Sequence, residues 1–217
     1  GTRIVGAIRG RDAIYIWTDT ALFIMRFVGP PFTFSFQQVG TNCGLIGQKA
    51  AVEVDGSAYW MSENGFFRYT GKLESLPCLV EDYVYDDINT TPKQHIYAGL
   101  NNLFGEVTWF YPGSGAASNN RSVTYNYMDS TGERPVWTTS SLARSTWADS
   151  SIFGKPHATG YYSSATDDST VGNTDGVTTY FEHETGVNQI KSGSASTIAA
   201  SIESGDFDIS MSQGGGA

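Results

Sequence analysis

The chain has 217 residues, of which 16% are charged and 13% aromatic, with 25 glycines and a net charge of −9. Such a length buries roughly 70–75% of its unfolded surface, and a composition rich in Thr, Ser, Gly and aromatics suits strands and tight turns. The acidic balance argues against a duplex-binding surface built on Lys and Arg, and no run of about 18 apolar residues marks a membrane-spanning helix.

The opening GTRIVGAIRG lacks the apolar centre of a signal peptide, and it starts without Met inside a strand pattern, as a segment of a longer protein would. Residues 4–8 read as a short strand and Gly10-Arg11-Asp12 as a turn. The stretch 12–25, DAIYIWTDTALFIM, is the unit that the rest repeats. Ile14, Ile16 and Thr18 alternate with Tyr15 and Trp17, a period of two. Asp19-Thr20 supplies a turn without glycine, and residues 22–27 run out as the second strand. Val28-Gly29-Pro30-Pro31 breaks the chain, because proline cannot donate to a ladder. Residues 32–36, FTFSF, place Phe32, Phe34 and Phe36 on one face, which predicts a strand with one buried side. Residues 37–47 read as a loop.

Residues 49–54 and 58–61 flank Asp55-Gly56, the strongest hairpin signal in the chain. Residues 66–69 complete that unit and Thr70-Gly71-Lys72 turns out of it. Residues 76–89 form a long connection, in which 79–87 is the best candidate for a short helix, or else an extended connector. Residues 94–99 and 104–111 predict a hairpin, 112–120 a polar loop, 123–128 a strand, 129–135 a loop and 136–138 a short outer strand. Within 143–150, Arg144 and Trp147 are spaced for a guanidinium-on-ring contact. Tyr161-Tyr162 is another strand, followed by a Ser/Asp/Thr-rich insertion at 163–176. Residues 201–211 form a last strand pair or an exit segment, and 212–217 have a linker composition.

Trp17, Trp60 and Trp109 recur at spacings of 43 and 49 residues. Residues 177–186 read as a fourth copy with Tyr180-Phe181 in place of tryptophan. A period of about 40–50 residues is that of propeller blades, and sheets arranged around an axis leave only short edges. The expectation is therefore an all-β, β-propeller-like array of antiparallel sheets, complete or partial, over residues 1–190. Its repeats fall near 4–36, 49–72, 94–138 and 157–187. A Ser/Gly-rich segment with a possible last strand follows at 191–217. A sandwich or another barrel is the alternative.

Little in the sequence suggests chemistry, and no catalytic, cofactor-binding or metal residue is assigned. Glu182-His183-Glu184 alternates across a strand, and His95 and His157 are the only other histidines, so no converging set of three or four ligands is apparent. Cys43 and Cys78 form no zinc spacing; they read as free thiols in a reducing compartment, with a disulfide between them as the alternative if the fold brings them together. Asp19, Glu63 and Glu106 fall near one place in successive repeats, as the two carboxyls of a propeller glycoside hydrolase would. Turn polarity explains that placement equally well. Tyr111, Tyr161 and Tyr162 lie near loops, where aromatic rings stack on sugars, so a glycan- or receptor-binding module of a tail fibre is a further alternative. The sequons at Asn89 and Asn120 carry meaning only on a secretory route.

One resemblance covers most of the chain, from about residue 14 to 207. Its motifs, in order, are Trp17-Thr18-Asp19, Thr41-Asn42-Cys43-Gly44, Tyr59-Trp60-Met61, Leu76-Pro77-Cys78, Asp82-Tyr83-Val84-Tyr85-Asp86-Asp87-Ile88-Asn89, Glu106-Val107-Thr108-Trp109-Phe110-Tyr111-Pro112, Trp147-Ala148-Asp149 and Glu182-His183-Glu184-Thr185-Gly186. This succession resembles the propeller-bearing tail nozzle, or tail tubular, proteins of short-tailed bacteriophages. The resemblance implies a structural virion protein, not an enzyme, assembled in the host bacterial cytoplasm. It implies a homo-oligomeric ring, typically of six copies, that contacts adaptor or other tail proteins and, transiently, exiting DNA. Complete nozzle subunits are several times longer, so their platform and tip regions are absent from this chain or lie outside it.

Overall fold

A computed structural model of the chain describes residues 1–149, 154–162, 177–186, 188–191 and 194–197. The fold is all-β, with one short helix among the described residues. The chain divides into two units, Gly1–Thr185 and Gly186–Ala217.

The first unit is a succession of antiparallel meanders. Strands β1 (Ile4–Arg9), β2 (Ile14–Thr18), β3 (Ala21–Gly29) and β4 (Thr33–Thr41) form the first sheet. Strands β5 (Ala51–Val54), β6 (Ser57–Ser62), β7 (Gly65–Tyr69) and β8 (Leu73–Leu76) form the second. After helix α1 (Glu81–Asp87) come β9 (Tyr97–Asn101), β10 (Glu106–Tyr111), β11 (Arg121–Asn126) and β12 (Val136–Ser140). Strands β13 (Thr146–Ala148), β14 (His157–Tyr162) and β15 (Val177–Glu182) make a three-stranded fourth sheet. Among the described residues of the second unit, β16 (Asn188–Lys191) pairs with β17 (Ser194–Thr197) as a hairpin.

The turns follow from local chemistry. Asp55 and Gly56 both take positive φ, 50° and 85°, the geometry that matches hairpin twist. At Asp19-Thr20, where glycine is missing, the Thr18 hydroxyl accepts from the Ala21 amide at 2.9 Å and closes the turn. The first strands of neighbouring sheets lie side by side, β1 by β5, β5 by β9 and β9 by β13, and Lys49 bridges Tyr97 in parallel. The first strand of each sheet is therefore the inner one, a propeller-like arrangement in which β4, β8 and β12 are outer edges.

The recurring tryptophans occupy equivalent places. Trp17, Trp60 and Trp109 lie on the second strand of their sheets and are fully buried. Trp17 and Trp60 meet edge to face with centroids 5.3 Å apart, and Trp109 lies 4.9 Å from Phe66 of the preceding sheet. Their indoles also join sheets. Trp60 Nε1 donates to the Cys43 carbonyl at 2.8 Å and Trp109 Nε1 to the Ala50 carbonyl at 3.0 Å. Both bonds reach back along the chain. Trp17 Nε1, in the first sheet, is buried with no acceptor among the described residues.

Several expectations are corrected. The segment after Phe36 is not a loop: β4 continues to Thr41, paired with β3. The outer strand β8 gives no alternation signal in its four residues. Residues 177–186 are not a second-strand copy, since Tyr180 and Phe181 lie on the third strand of their sheet, beyond β14. Arg144 does not cover Trp147; its guanidinium lies 3.9 Å from the Phe181 ring, while Trp147 faces His183 at 4.6 Å. The helix expected within 79–87 is present as α1. The insertion at 163–176 and the strand pair at 201–211 lie outside the described residues.

Gly44 is where the first connection crosses the β2–β3 turn. A Cβ there would sit 2.1 Å from the Asp19 carbonyl oxygen and 2.6 Å from the Thr20 nitrogen. Both are backbone atoms of a pinned turn and cannot step aside. Gly44→Ala is expected to cost about 2–4 kcal/mol, read as a lowered urea midpoint with an unchanged slope.

Candidate functional site

The feature of the first unit that folding alone does not explain is the far end of the β3–β4 hairpin. β2 pairs with β3 only as far as Ile14 opposite Met25. Beyond that point residues 26–29 and 33–35 pair only with each other, Arg26 opposite Ser35, Phe27 opposite Phe34 and Gly29 opposite Thr33. The hairpin therefore leaves its sheet as a two-stranded ribbon.

Strand alternation puts Met25, Phe27, Phe34 and Phe36 on one face, with Phe32 beside the tip. Phe27 and Phe34 meet edge on at 5.9 Å. The face is nevertheless uncovered: Phe27 is 71% exposed, Phe32 80%, Phe34 47% and Phe36 64%. This corrects the expectation of a buried side for residues 32–36; the alternation is real, but the ribbon has overrun the sheet that would cover it. A two-stranded ribbon is marginal in water by itself, and a contiguous exposed apolar patch marks an interaction surface.

The polar candidates are dispersed. Asp19 and Glu63 lie at the β2–β3 and β6–β7 turns, but Glu106 opens β10, at the opposite end of its strand. The three are therefore not equivalent, and each has a local structural partner. Asp19 accepts from the Thr2 amide at 2.8 Å and from the Thr2 hydroxyl, which hold its carboxyl below the usual range. Glu63 pairs with Lys93. Glu106 accepts from the Asn101 amide at 3.4 Å, and the same amide nitrogen donates to Glu184 at 3.2 Å. Burial, then the charge of Glu184, raises the Glu106 carboxyl. Its folded-state pKa lies above the unfolded value, so ionisation at neutral pH opposes folding. Glu106→Gln keeps an acceptor for Asn101 and is expected to stabilise the chain at pH 7 by up to about 1 kcal/mol. The gain should vanish near pH 4 in urea titrations.

His183 is inward and structural. Arg144 Nε donates to its Nε2 at 3.0 Å, and burial with that guanidinium depresses its pKa to about 3. Among the described residues, no three His, Cys, Asp or Glu side chains converge on a common point. Cys43 and Cys78 are free thiols; burial raises both, Cys78 to about 12, away from thiolate reactivity. Tyr111 is fully buried, not a platform for a ligand. Tyr161 and Tyr162 belong to β14. His95 Nδ1 donates to the Ala117 carbonyl, and His157 meets Tyr180. The Asn89 and Asn120 side chains brace the 112–120 loop, Asn89 through the Ala116 carbonyl and Asn120 through the Gly113 amide.

Fold and surface together define an all-β protein of repeated small sheets with one projecting apolar ribbon. No protein-family model matches the chain, and no curated protein matches it.

Proposed function

We propose that this chain is a structural virion protein, a propeller-like component of a tailed-phage tail nozzle or tail hub. Its copies associate into a ring that serves as a DNA-exit conduit or docking surface beside adaptor or other tail proteins. The observation that carries the assembly part of this reading is the projecting ribbon with four exposed phenylalanines. An apolar face of that kind needs a partner surface. The phage part is supported by the succession of motifs from Trp17-Thr18-Asp19 to Glu182-His183-Glu184. A net charge of −9 suits a body that exiting DNA passes without adhering.

Mass spectrometry of purified particles from the encoding phage tests this. The chain is expected at a fixed ratio to other tail proteins. Its presence in the infected lysate but absence from purified particles would remove the reading.

A further inference from the structure

We infer that the ribbon of one copy seats against the exposed face of α1 on another copy, joining them head to tail. This rests on the assembly reading above and names the surface that completes it.

The second surface is as anomalous as the first. Leu79, just before α1, is 81% exposed, and Tyr83, four residues on, is 57% exposed. Asp82 and Asp86, four apart on the helix, are exposed as well, and Glu81 is half-buried. An apolar pair near carboxylates complements an apolar ribbon at the basic end of its sheet. The β1–β2 turn at the same end of the sheet adds exposed Arg9 and Arg11.

The charge of the whole chain is divided in the same sense. Residues 1–49 carry five Lys or Arg against two Asp or Glu, whereas the remainder carries eight against twenty. The first sheet is thus a basic element on an acidic body, and like charge alone would keep copies apart elsewhere.

Topology excludes the ribbon from its own helix. In a meander the β1–β2 and β3–β4 turns lie at one end and the β2–β3 turn at the other. The sheets are aligned: Tyr15 near the start of β2 donates to the Gly56 carbonyl at the start of β6. Helix α1 sits at the β6–β7 turn, where the Tyr85 hydroxyl donates to the Ser62 carbonyl at 2.7 Å and accepts from the Gly65 amide at 3.2 Å. Ribbon and helix face therefore leave from opposite ends. A contact between them is heterologous, which closes as a ring or continues as a filament. The exposed parts of the four phenylalanines amount to roughly 500 Å² at about 200 Å² per side chain. That is the greater part of the about 800 Å² per partner of a stable interface.

The test uses two variants of the full chain, both altered only at exposed positions. Phe34→Ser with Phe36→Ser removes the ribbon face; Leu79→Ser with Tyr83→Ser removes the helix face. Circular dichroism first establishes that each is folded. In sedimentation velocity the unaltered chain is expected to associate with rising concentration, more weakly at high salt. Each variant alone is expected to remain at 23.5 kDa. Their equimolar mixture is expected to give a dimer that grows no further, because one intact ribbon meets one intact helix face. As a second arm, Arg9→Glu with Arg11→Glu should weaken association about tenfold, and Asp82→Lys with Asp86→Lys on the partner should restore it. A mixture that stays monomeric overturns the inference, as does a helix-face variant that assembles like the unaltered chain. In the latter case assembly itself stands and only its docking surface is wrong. An unaltered chain that stays monomeric at all concentrations overturns the inference too, while the composition of particles judges the virion role independently.

Discussion

Trp60→Ala should lower the stability of the first unit by about 4–6 kcal/mol, a large share of the roughly 5–15 kcal/mol available to a domain. Trp60 is fully buried between Trp17 and Phe67, with ring centroids 5.3 and 5.7 Å away. Removing it leaves a cavity at the junction of two sheets and also strands the Cys43 carbonyl, which loses its 2.8 Å donor. At about 2–4 °C per kcal/mol for a chain of this size, the melting temperature should fall by roughly 10–20 °C. A finer comparison separates packing from hydrogen bonding. Trp60→Phe loses ring volume and an N–H that is used; Trp17→Phe loses ring volume and an N–H with no acceptor among the described residues. Trp17→Phe should therefore be the milder change by about 1 kcal/mol. Equal losses in urea titrations would show that the inter-sheet indole bonds contribute nothing.

Acid should weaken the fourth sheet through His183. Its Nε2 accepts from Arg144, so the folded ring is neutral, and a proton would put a second cation beside a buried guanidinium. Its folded pKa of about 3 lies below the ordinary 6.5. The folded state thus binds fewer protons, and the full contribution is present above pH 6.5 and is lost as pH falls towards 3. Between pH 6.5 and 4.5 one group with this shift costs about 2–3 kcal/mol. Asp19 is depressed as well, but its contribution is lost only as pH falls through the ordinary value of 3.8, below this window. Glu106 is raised and acts in the opposite sense. Urea titrations at pH 7, 5.5 and 4.5 should show a falling midpoint in the unaltered chain and a flatter dependence in His183→Gln. Parallel slopes in the two would exclude His183 as the group responsible.

Much of the scaffold was legible because its signals are local. Period-two alternation in 14–18 and the Asp55-Gly56 turn require nothing beyond neighbouring residues, and β2, β5, β6 and β7 fall close to where these place them. The tryptophan spacing also carried through, since Trp17, Trp60 and Trp109 do occupy corresponding second strands. What failed depended on partners. Phe32, Phe34 and Phe36 alternate like the face of a buried strand, but whether a strand has cover is decided by how far β2 extends, which the FTFSF segment does not encode. β8 is too short to show a period. The Arg144–Trp147 spacing was local, yet Phe181, 37 residues on in sequence, won the guanidinium because β15 brings it alongside. The carboxyls Asp19, Glu63 and Glu106 looked equivalent by position within repeats whose strand boundaries were still approximate. The acidic helix face around Leu79 and Tyr83 was legible as a helix but not as a surface, because exposure is a property of the assembled sheets.

The ribbon's surroundings in the particle provide the most direct test, through electron microscopy of the intact phage tail at side-chain resolution. The density should show copies of these small sheets repeated about the tail axis, with Phe27, Phe32, Phe34 and Phe36 of each copy covered by a neighbouring subunit. A map in which those four rings face solvent, or in which the chain occurs as one unrepeated copy, would contradict the proposed role.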